Sequence, residues 1–186
     1  MLRQLGLSLS AFGRHQEALE VLKSLAATGL VANRNAYAGV LSEAGRQDEA
    51  EGELRAILAE DAEEPKAREQ MALVALRRNR FADAKSWAEQ ALRVNGQLPL
   101  AWNYLGVAEA QLGQRAAAVA AWQRAVDLDP RLWDALWNLG TTAADLGLRE
   151  QAASALRRFA EQAPKSKYGR DIERAKEFLA RLGAGQ

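Results

Sequence analysis

Apolar positions along the chain recur at spacings of three and four residues, the pattern typical of amphipathic helices. One alanine position recurs in every copy of the pattern, at intervals of 32, 34, 34 and 34 residues: Ala18, Ala50, Ala84, Ala118 and Ala152. Four residues after each alanine the chain carries Leu22, Leu54, Ala88, Trp122 or Leu156. Three residues further on it carries Leu25, Ile57, Ala91, Ala125 or Phe159. These positions share one helical face, so each copy predicts a helix.

A turn and an earlier helix precede each of these helices. The turn position, five residues before the alanine, holds Gly13, Gly45, Asn79, Gly113 or Gly147. Glycine and asparagine tolerate the positive φ that ends many helices. Upstream of each turn is a large apolar residue followed by a small one: Leu5-Gly6, Tyr37-Ala38, Met71-Ala72, Leu105-Gly106 and Leu139-Gly140. Each repeat is therefore predicted to be helix, short turn, helix, and Pro130 and Pro164 end the second helix of their repeats.

The segment 102–130 resembles the tetratricopeptide repeat. The matching positions are Trp102, Leu105, Gly106, Gly113, Ala118, Trp122, Ala125 and Pro130, whereas Glu109 stands where the family carries tyrosine. One helix pair cannot bury its own apolar stripe, and stacked pairs bury a continuous core. The resemblance implies an all-α fold, a right-handed superhelical α-solenoid whose first helices line a concave surface.

The period divides the chain into a single array over residues 1–186. The predicted repeats are 1–30, 31–64, 65–98, 99–132 and 133–166. The first begins part-way into its first helix, and its exit loop is expected to be two residues shorter. Residues 167–183 carry Ile172, Ala175, Leu179 and Leu182 at helical spacing, which predicts an amphipathic helix that closes the array. Five pairs and this cap make eleven helices.

The N-terminal end shows no equivalent cap. Leu2, Leu5 and Leu9 share one helical face. This face could meet solvent, an upstream segment or a second copy of the chain, which would be self-association through the N-terminal end. The first twenty residues fit the repeat and lack a clean apolar stretch, so we interpret them as mature structure rather than a signal peptide.

The composition limits the kinds of functional site that the chain can contain. Lys plus Arg is 25 and Asp plus Glu is 24, a formal net charge of +1, which argues against nucleic acid as a partner. The arginines around residue 79 and at 157–158 lie beside acidic residues and are interpreted as ordinary surface. The chain has no Cys and one His, His15, interpreted as a partly exposed surface residue. We therefore expect no catalytic residues, no metal and no cofactor.

No segment is apolar enough for membrane insertion, and the sequence leaves the cellular compartment open. Cytoplasm and periplasm both suit a chain without cysteine.

The resemblance implies a binding groove on the first helices, on the face opposite the packing stripe. The predicted groove residues are Asn35, Glu43, Glu69, Arg77, Asn103, Gln111, Trp137, Asn138, Thr141 and Asp145. Arg3 occupies the matching position of the first repeat. Trp137 is the aromatic predicted to reach the partner. The Lys, Asn and Arg clamp of the chaperone-binding members is absent from the matching positions.

The leading hypothesis is a scaffold that binds a partner protein or peptide in this groove and performs no catalysis. One alternative is the repeat portion of a larger enzyme that positions substrate. Another is a structural protein that assembles with itself.

Overall fold

A computed structural model describes residues 1–183 as eleven α-helices joined by short loops, with no strand in that range. The helices are α1 (Leu2–Ala11), α2 (His15–Ala26), α3 (Val31–Glu43), α4 (Gln47–Glu60), α5 (Pro65–Arg77), α6 (Phe81–Val94), α7 (Pro99–Gln111), α8 (Arg115–Leu128), α9 (Trp133–Asp145), α10 (Arg149–Gln162) and α11 (Lys165–Gly183). The all-α fold of five pairs and a closing helix is therefore confirmed. The predicted array runs to residue 186, and its last three residues lie outside the described range.

The five turns between paired helices have one backbone geometry. All five turn residues have positive φ: +75° at Gly13, +80° at Gly45, +56° at Asn79, +77° at Gly113 and +73° at Gly147. After each turn residue, the next N–H donates to a carbonyl five residues back, as in Gln114 N to Glu109 O at 2.8 Å. This is the Schellman ending, which satisfies carbonyls that the helix leaves free. The predicted turns are thereby confirmed.

The Gly113→Ala variant is expected to lose about 1–2 kcal/mol, because an L side chain is strained at φ +77°. Space is not the cause, since no atom lies within 4 Å of the Cβ that would be added. Urea denaturation followed by circular dichroism measures the loss. The matched variant Asn79→Gly relieves the same strain, so its midpoint is expected to stay equal or rise. Equal loss in both variants would contradict this explanation.

Small residues bring the paired helices into close contact. A Cβ placed on Gly106 would lie 2.7 Å from Trp122 Nε1, and one on Gly140 would lie 2.6 Å from Leu156 Cγ. Gly6 has the same relation to Leu22, at 2.6 Å. The large residue of the second helix thus fills the space that the glycine leaves.

The helices form two compact units, unit one (Met1–Gly96) and unit two (Gln97–Gln186). The boundary lies two residues before residue 98, the predicted end of the third repeat. Unit one has a core that includes Leu22, Leu41, Leu54 and Ile57. Unit two has its own core, in which Phe159 is fully buried. The single array over residues 1–186 stays a prediction.

Two details of the prediction were wrong. The first repeat is short because α2 has 12 residues where α4 has 14. The loop of residues 27–30 is as long as the loop of residues 61–64, so the exit loop is not shortened. The closing helix begins at Lys165 rather than at residue 167, and it contains a non-helical residue, Tyr168.

Candidate functional site

The predicted groove residues lie on the first helices of the repeats. Asn35, Glu69, Asn103 and Trp137 follow one another at intervals of 34 residues on α3, α5, α7 and α9. Glu43, Arg77, Gln111 and Asp145 form a second series with the same interval, at the carboxyl ends of the same four helices. Asn138 and Thr141 also lie on α9. Each repeat thus presents equivalent positions, which are described below unit by unit.

In unit one, the first series is buried. Asn35 is 5% exposed, and its side-chain oxygen Oδ1 has no hydrogen-bond partner within residues 1–183. Gln70 Nε2 donates to the backbone oxygen of Asn35 at 3.0 Å, which ties α5 to α3. Glu69 is 2% exposed and forms an ion pair with Lys66 one turn earlier. Asn35 Oδ1 and Gln70 Oε1 are therefore two acceptors on α3 and α5 that have no donor among residues 1–183.

The second series of unit one is exposed and contributes to contacts between helices. Glu43 accepts a hydrogen bond from the Ser10 hydroxyl on α1. The Arg77 guanidinium donates to the backbone oxygen of Ser42 at 2.7 Å. Each of these side chains thus reaches back from its own first helix to the end of the preceding first helix.

Unit two repeats the arrangement of amides. Asn103 is 8% exposed, and its Oδ1 atom also lacks a partner in the described chain. Asn138 and Thr141 are half-buried on α9, and the Thr141 hydroxyl donates to Trp137 O at 2.9 Å. Gln111 and Asp145 are exposed. Two equivalent positions, one in each unit, therefore hold buried amide oxygens without donors.

Trp137 is half-buried beneath the closing helix. Its ring centroid lies 5.5 Å from that of Phe159 and 6.4 Å from that of Phe178. The Arg174 guanidinium lies 5.0 Å above the same ring, a distance suited to a cation–π contact. Packing against α10 and α11 thus accounts for much of the burial of the Trp137 side chain.

Sequence reasoning missed a cluster of three side chains at the N-terminal end. The Ser10 hydroxyl donates to Glu43 and therefore accepts from His15 Nδ1, which lies 3.0 Å away. His15 is half-buried, in agreement with the prediction of a partly exposed residue. When a histidine activates a serine nucleophile, the imidazole lies between the hydroxyl and the carboxylate. Here the buried Ser10 hydroxyl lies between the imidazole and the carboxylate, so the arrangement does not activate Ser10 as a nucleophile. Glu43 lies 33 residues from Ser10, and no local motif joins them.

Two of the arginines around Asn79, Arg78 and Arg80, are paired with carboxylates. Arg78 contacts Asp48 and Glu51, and Arg80 contacts Glu51 and Asp83. Their positive charge is therefore compensated locally.

Two titratable groups at the start of α11, Lys167 and Tyr168, have shifted pKa values. The Tyr168 hydroxyl donates to Asp134 Oδ1 at 3.0 Å, and Lys167 Nζ lies 4.7 Å above the Tyr168 ring. Burial raises the pKa of Tyr168, Lys167 partly opposes this, and the hydrogen bond to Asp134 adds to it. Hydrogen bonding to Tyr168 raises the pKa of Lys167.

These two shifts predict a loss of stability at alkaline pH. A group whose pKa is raised by folding stabilises the protein below its ordinary pKa, about 10 for tyrosine, and this contribution is lost as the pH rises through the raised value. Thermal unfolding between pH 8 and 11 is expected to show a steeper fall for the wild type than for Tyr168→Phe. Tyr37→Phe, in unit one, is the control. Parallel curves for all three proteins would contradict the assignment.

No group of three or more acidic or histidine side chains within residues 1–183 is arranged to hold a metal ion. Among the same residues, no helix combines the length and apolarity needed to cross a membrane.

Helix pairs of similar length, Schellman turns 32 or 34 residues apart and small-on-large packing between partners define an α-helical repeat protein of the solenoid class. Comparison with known families agrees. Models described as tetratricopeptide repeat match residues 69–114, 99–132 and 134–166. The chain belongs to the tetratricopeptide repeat family, whose arrays are typically non-enzymatic scaffolds for protein interactions.

Individual relatives agree with the fold. The chain is 22% identical to a thermophilic tetratricopeptide repeat protein of Thermus thermophilus, with a TM-score of 0.77 and coverage of 96% of this chain and 97% of that one. It is 21% identical to residues 41 to the end of MamA from Desulfovibrio magneticus, with a TM-score of 0.61 and coverage of 86% and 90%. These two likenesses concern the fold.

A third relative is similar in amino-acid sequence. The chain is 35% identical over 68 residues to the human PEX5-related protein. The match covers 37% of this chain and 11% of that protein, so the chain spans a small part of this relative's length.

Proposed function

We propose that the protein binds a partner protein or peptide through the surface that the first helices of its repeats present. The observation that carries the proposal is the pair of equivalent amide oxygens, Asn35 Oδ1 in unit one and Asn103 Oδ1 in unit two. Both are buried and without a donor among residues 1–183. A buried acceptor left unpaired costs about 1–3 kcal/mol, so a donor that meets the oxygen once the amide side chain has rotated toward the surface recovers part of that cost.

The N–H groups of a partner chain are suitable donors. An extended peptide presents backbone N–H groups, and each unit offers one such acceptor, Asn35 in unit one and Asn103 in unit two. Exposed charges at the helix ends, Glu43, Arg77 and Asp145, supply both signs. They would fix the position of the partner along the surface. They would add little to the affinity, because exposed ion pairs contribute little binding free energy.

In this proposal Trp137 contacts the partner through the part of its side chain that remains exposed. Its contacts with Phe159 and Phe178 hold the ring in one orientation. A rigid aromatic loses little conformational entropy when it contacts a partner.

To test the proposal, the chain 1–186 is immobilised, and peptides that bind it are selected from a phage-displayed library of random dodecapeptides. Binding of a selected synthetic peptide is then measured by calorimetry. The Asn103→Ala variant is expected to weaken binding by about 2- to 10-fold, the effect of one lost hydrogen bond. The Asn103→Ala, Trp137→Ala double variant is expected to weaken it further.

Ser154→Ala provides the control, because Ser154 is exposed on α10, a second helix. Its affinity is expected to equal that of the wild type. If all these variants bind equally, with unchanged helicity, the proposed surface is wrong.

Self-association is the second candidate function, favoured by the exposed apolar residues of α1. It uses a different surface from the one above, and its geometry is developed next.

A further inference from the structure

Helix α1 presents a stripe of apolar side chains to solvent. Leu2 and Leu5 are exposed and Leu9 is half-buried, at the spacing of one helical face. Phe12, directly after the helix, is 81% exposed. Together with Met1 these residues form what we call the α1 stripe: Met1, Leu2, Leu5, Leu9 and Phe12. Exposed apolar groups gathered in one place mark an interaction surface more often than scattered ones do.

The repeat register shows what kind of surface this is. Leu5 is 48% exposed, whereas the residues at the equivalent position, Met71 and Leu139, are 3% and 2% exposed. Met71 is on α5, which packs against α4, and Leu139 is on α9, which packs against α8. The stripe is therefore the face on which later repeats receive a neighbouring helix. Among residues 1–183 no helix covers this face of α1.

The charges of α1 suit a second copy of the same helix. Arg3 is the sole charged residue between Leu2 and Ala11, so pairing two such helices buries no acid. If the two copies are antiparallel and centred on Leu5, each Arg3 comes opposite position 7 of the other copy, so the two Arg3 residues are offset by about 6 Å along the helix axis. A parallel arrangement would place them side by side.

The length of the stripe also suits self-pairing. Ten helical residues extend about 15 Å, and Leu5 lies near the middle of the stripe between Leu2 and Leu9. In an antiparallel pair centred on Leu5, Leu5 of one copy faces Leu5 of the other, Leu9 comes opposite Met1, and Leu2 comes opposite position 8, next to Leu9. Both ends of the pair are then apolar on both sides.

We propose that two copies of this chain associate through their α1 helices, antiparallel about a twofold axis, into a closed dimer. The contact continues the helix-on-helix packing that joins the repeats within each unit. A twofold contact of this kind closes on itself and stops at two copies.

Sedimentation equilibrium of the chain 1–186 over a series of concentrations tests the proposal. The expected mass is twice the 20.3 kDa of one chain at high concentration. In the Leu2→Glu, Leu5→Glu variant, paired like charges are expected to raise the dissociation constant by about a hundredfold or more. Circular dichroism verifies that the variant keeps its helicity.

The matched control is Leu146→Glu, Leu148→Glu, which places the same two charges on leucines of similar exposure in unit two. This variant is expected to dimerise like the wild type. A wild type that remains at 20.3 kDa, or a dimer that survives the α1 charges, would overturn the proposal. Species that grow beyond two copies would overturn the twofold geometry.

The absence of cysteine from the chain permits a direct test of register. The Leu5→Cys variant is expected to cross-link into a covalent dimer under mild oxidation, because the two thiols face each other. Ser154→Cys, equally accessible but distant in the chain, is expected to stay monomeric on a non-reducing gel. Equal cross-linking of both variants would contradict an interface centred on Leu5. These results do not depend on whether peptides bind the first-helix surface.

Discussion

Replacing Gly106 with alanine is expected to lower the free energy of unfolding by about 1–3 kcal/mol, the usual effect of overpacking a dense core. The added Cβ would lie 2.7–2.9 Å from Nε1, Cδ1 and Cε2 of Trp122. Trp122 is buried and cannot swing into solvent, so α7 and α8 must separate. The urea midpoint by circular dichroism measures the effect, and Gly140→Ala is expected to behave similarly against Leu156.

Gly52→Ala is the matched control. Gly52 lies on the exposed side of α4, and no atom is within 4 Å of its added Cβ. Alanine is the better helix former, so this variant is expected to gain about 0.5–1 kcal/mol. The cost of Gly106→Ala is also expected to shrink when Trp122→Ala is present, because the clash is then absent. An undiminished cost in that background would show that the clash is not the cause.

The second large effect is expected for Phe159→Ala, at about 3–5 kcal/mol. Phe159 is fully buried, and its ring lies 5.5 Å from both the Trp137 and Tyr168 rings. It thus joins α9, α10 and the closing helix, and its removal leaves a cavity between them. Thermal and urea unfolding measure the loss, and hydrogen exchange of α11 is expected to accelerate most.

Leu112→Ala is the control. Leu112 is also a large apolar residue, but it lies at the end of α7 and is partly exposed. It is expected to change stability by less than about 0.5 kcal/mol. A similar loss in both variants would mean that the aromatic contacts around Phe159 contribute nothing special.

The turns and helices could be predicted because each repeat carries its own local signals. Gly13, Gly45, Gly113 and Gly147 mark positions of positive φ, and Asn79 is the non-glycine residue that best tolerates one. The close approach at Gly106 follows from its pairing with a large residue in the next helix. Five repetitions of such signals specify the helix order even where one copy is weak.

Features that depend on a single copy could not be predicted. A shortened period shows that two residues are missing from the first repeat, but it does not show that α2 loses them rather than the loop. The coverage of Trp137 by α11 depends on where an atypical helix packs. The Ser10, His15 and Glu43 cluster joins residues from three different helices. The unpaired oxygens of Asn35 and Asn103 result from burial, which the sequence alone does not quantify.

The choice of partner surface is tested most directly by hydrogen–deuterium exchange with a selected peptide bound. Our account predicts new protection on the first helices, α3 and α5 in unit one and α7 and α9 in unit two, with the second helices unchanged. Protection confined to α4, α6, α8 or α10 would contradict it.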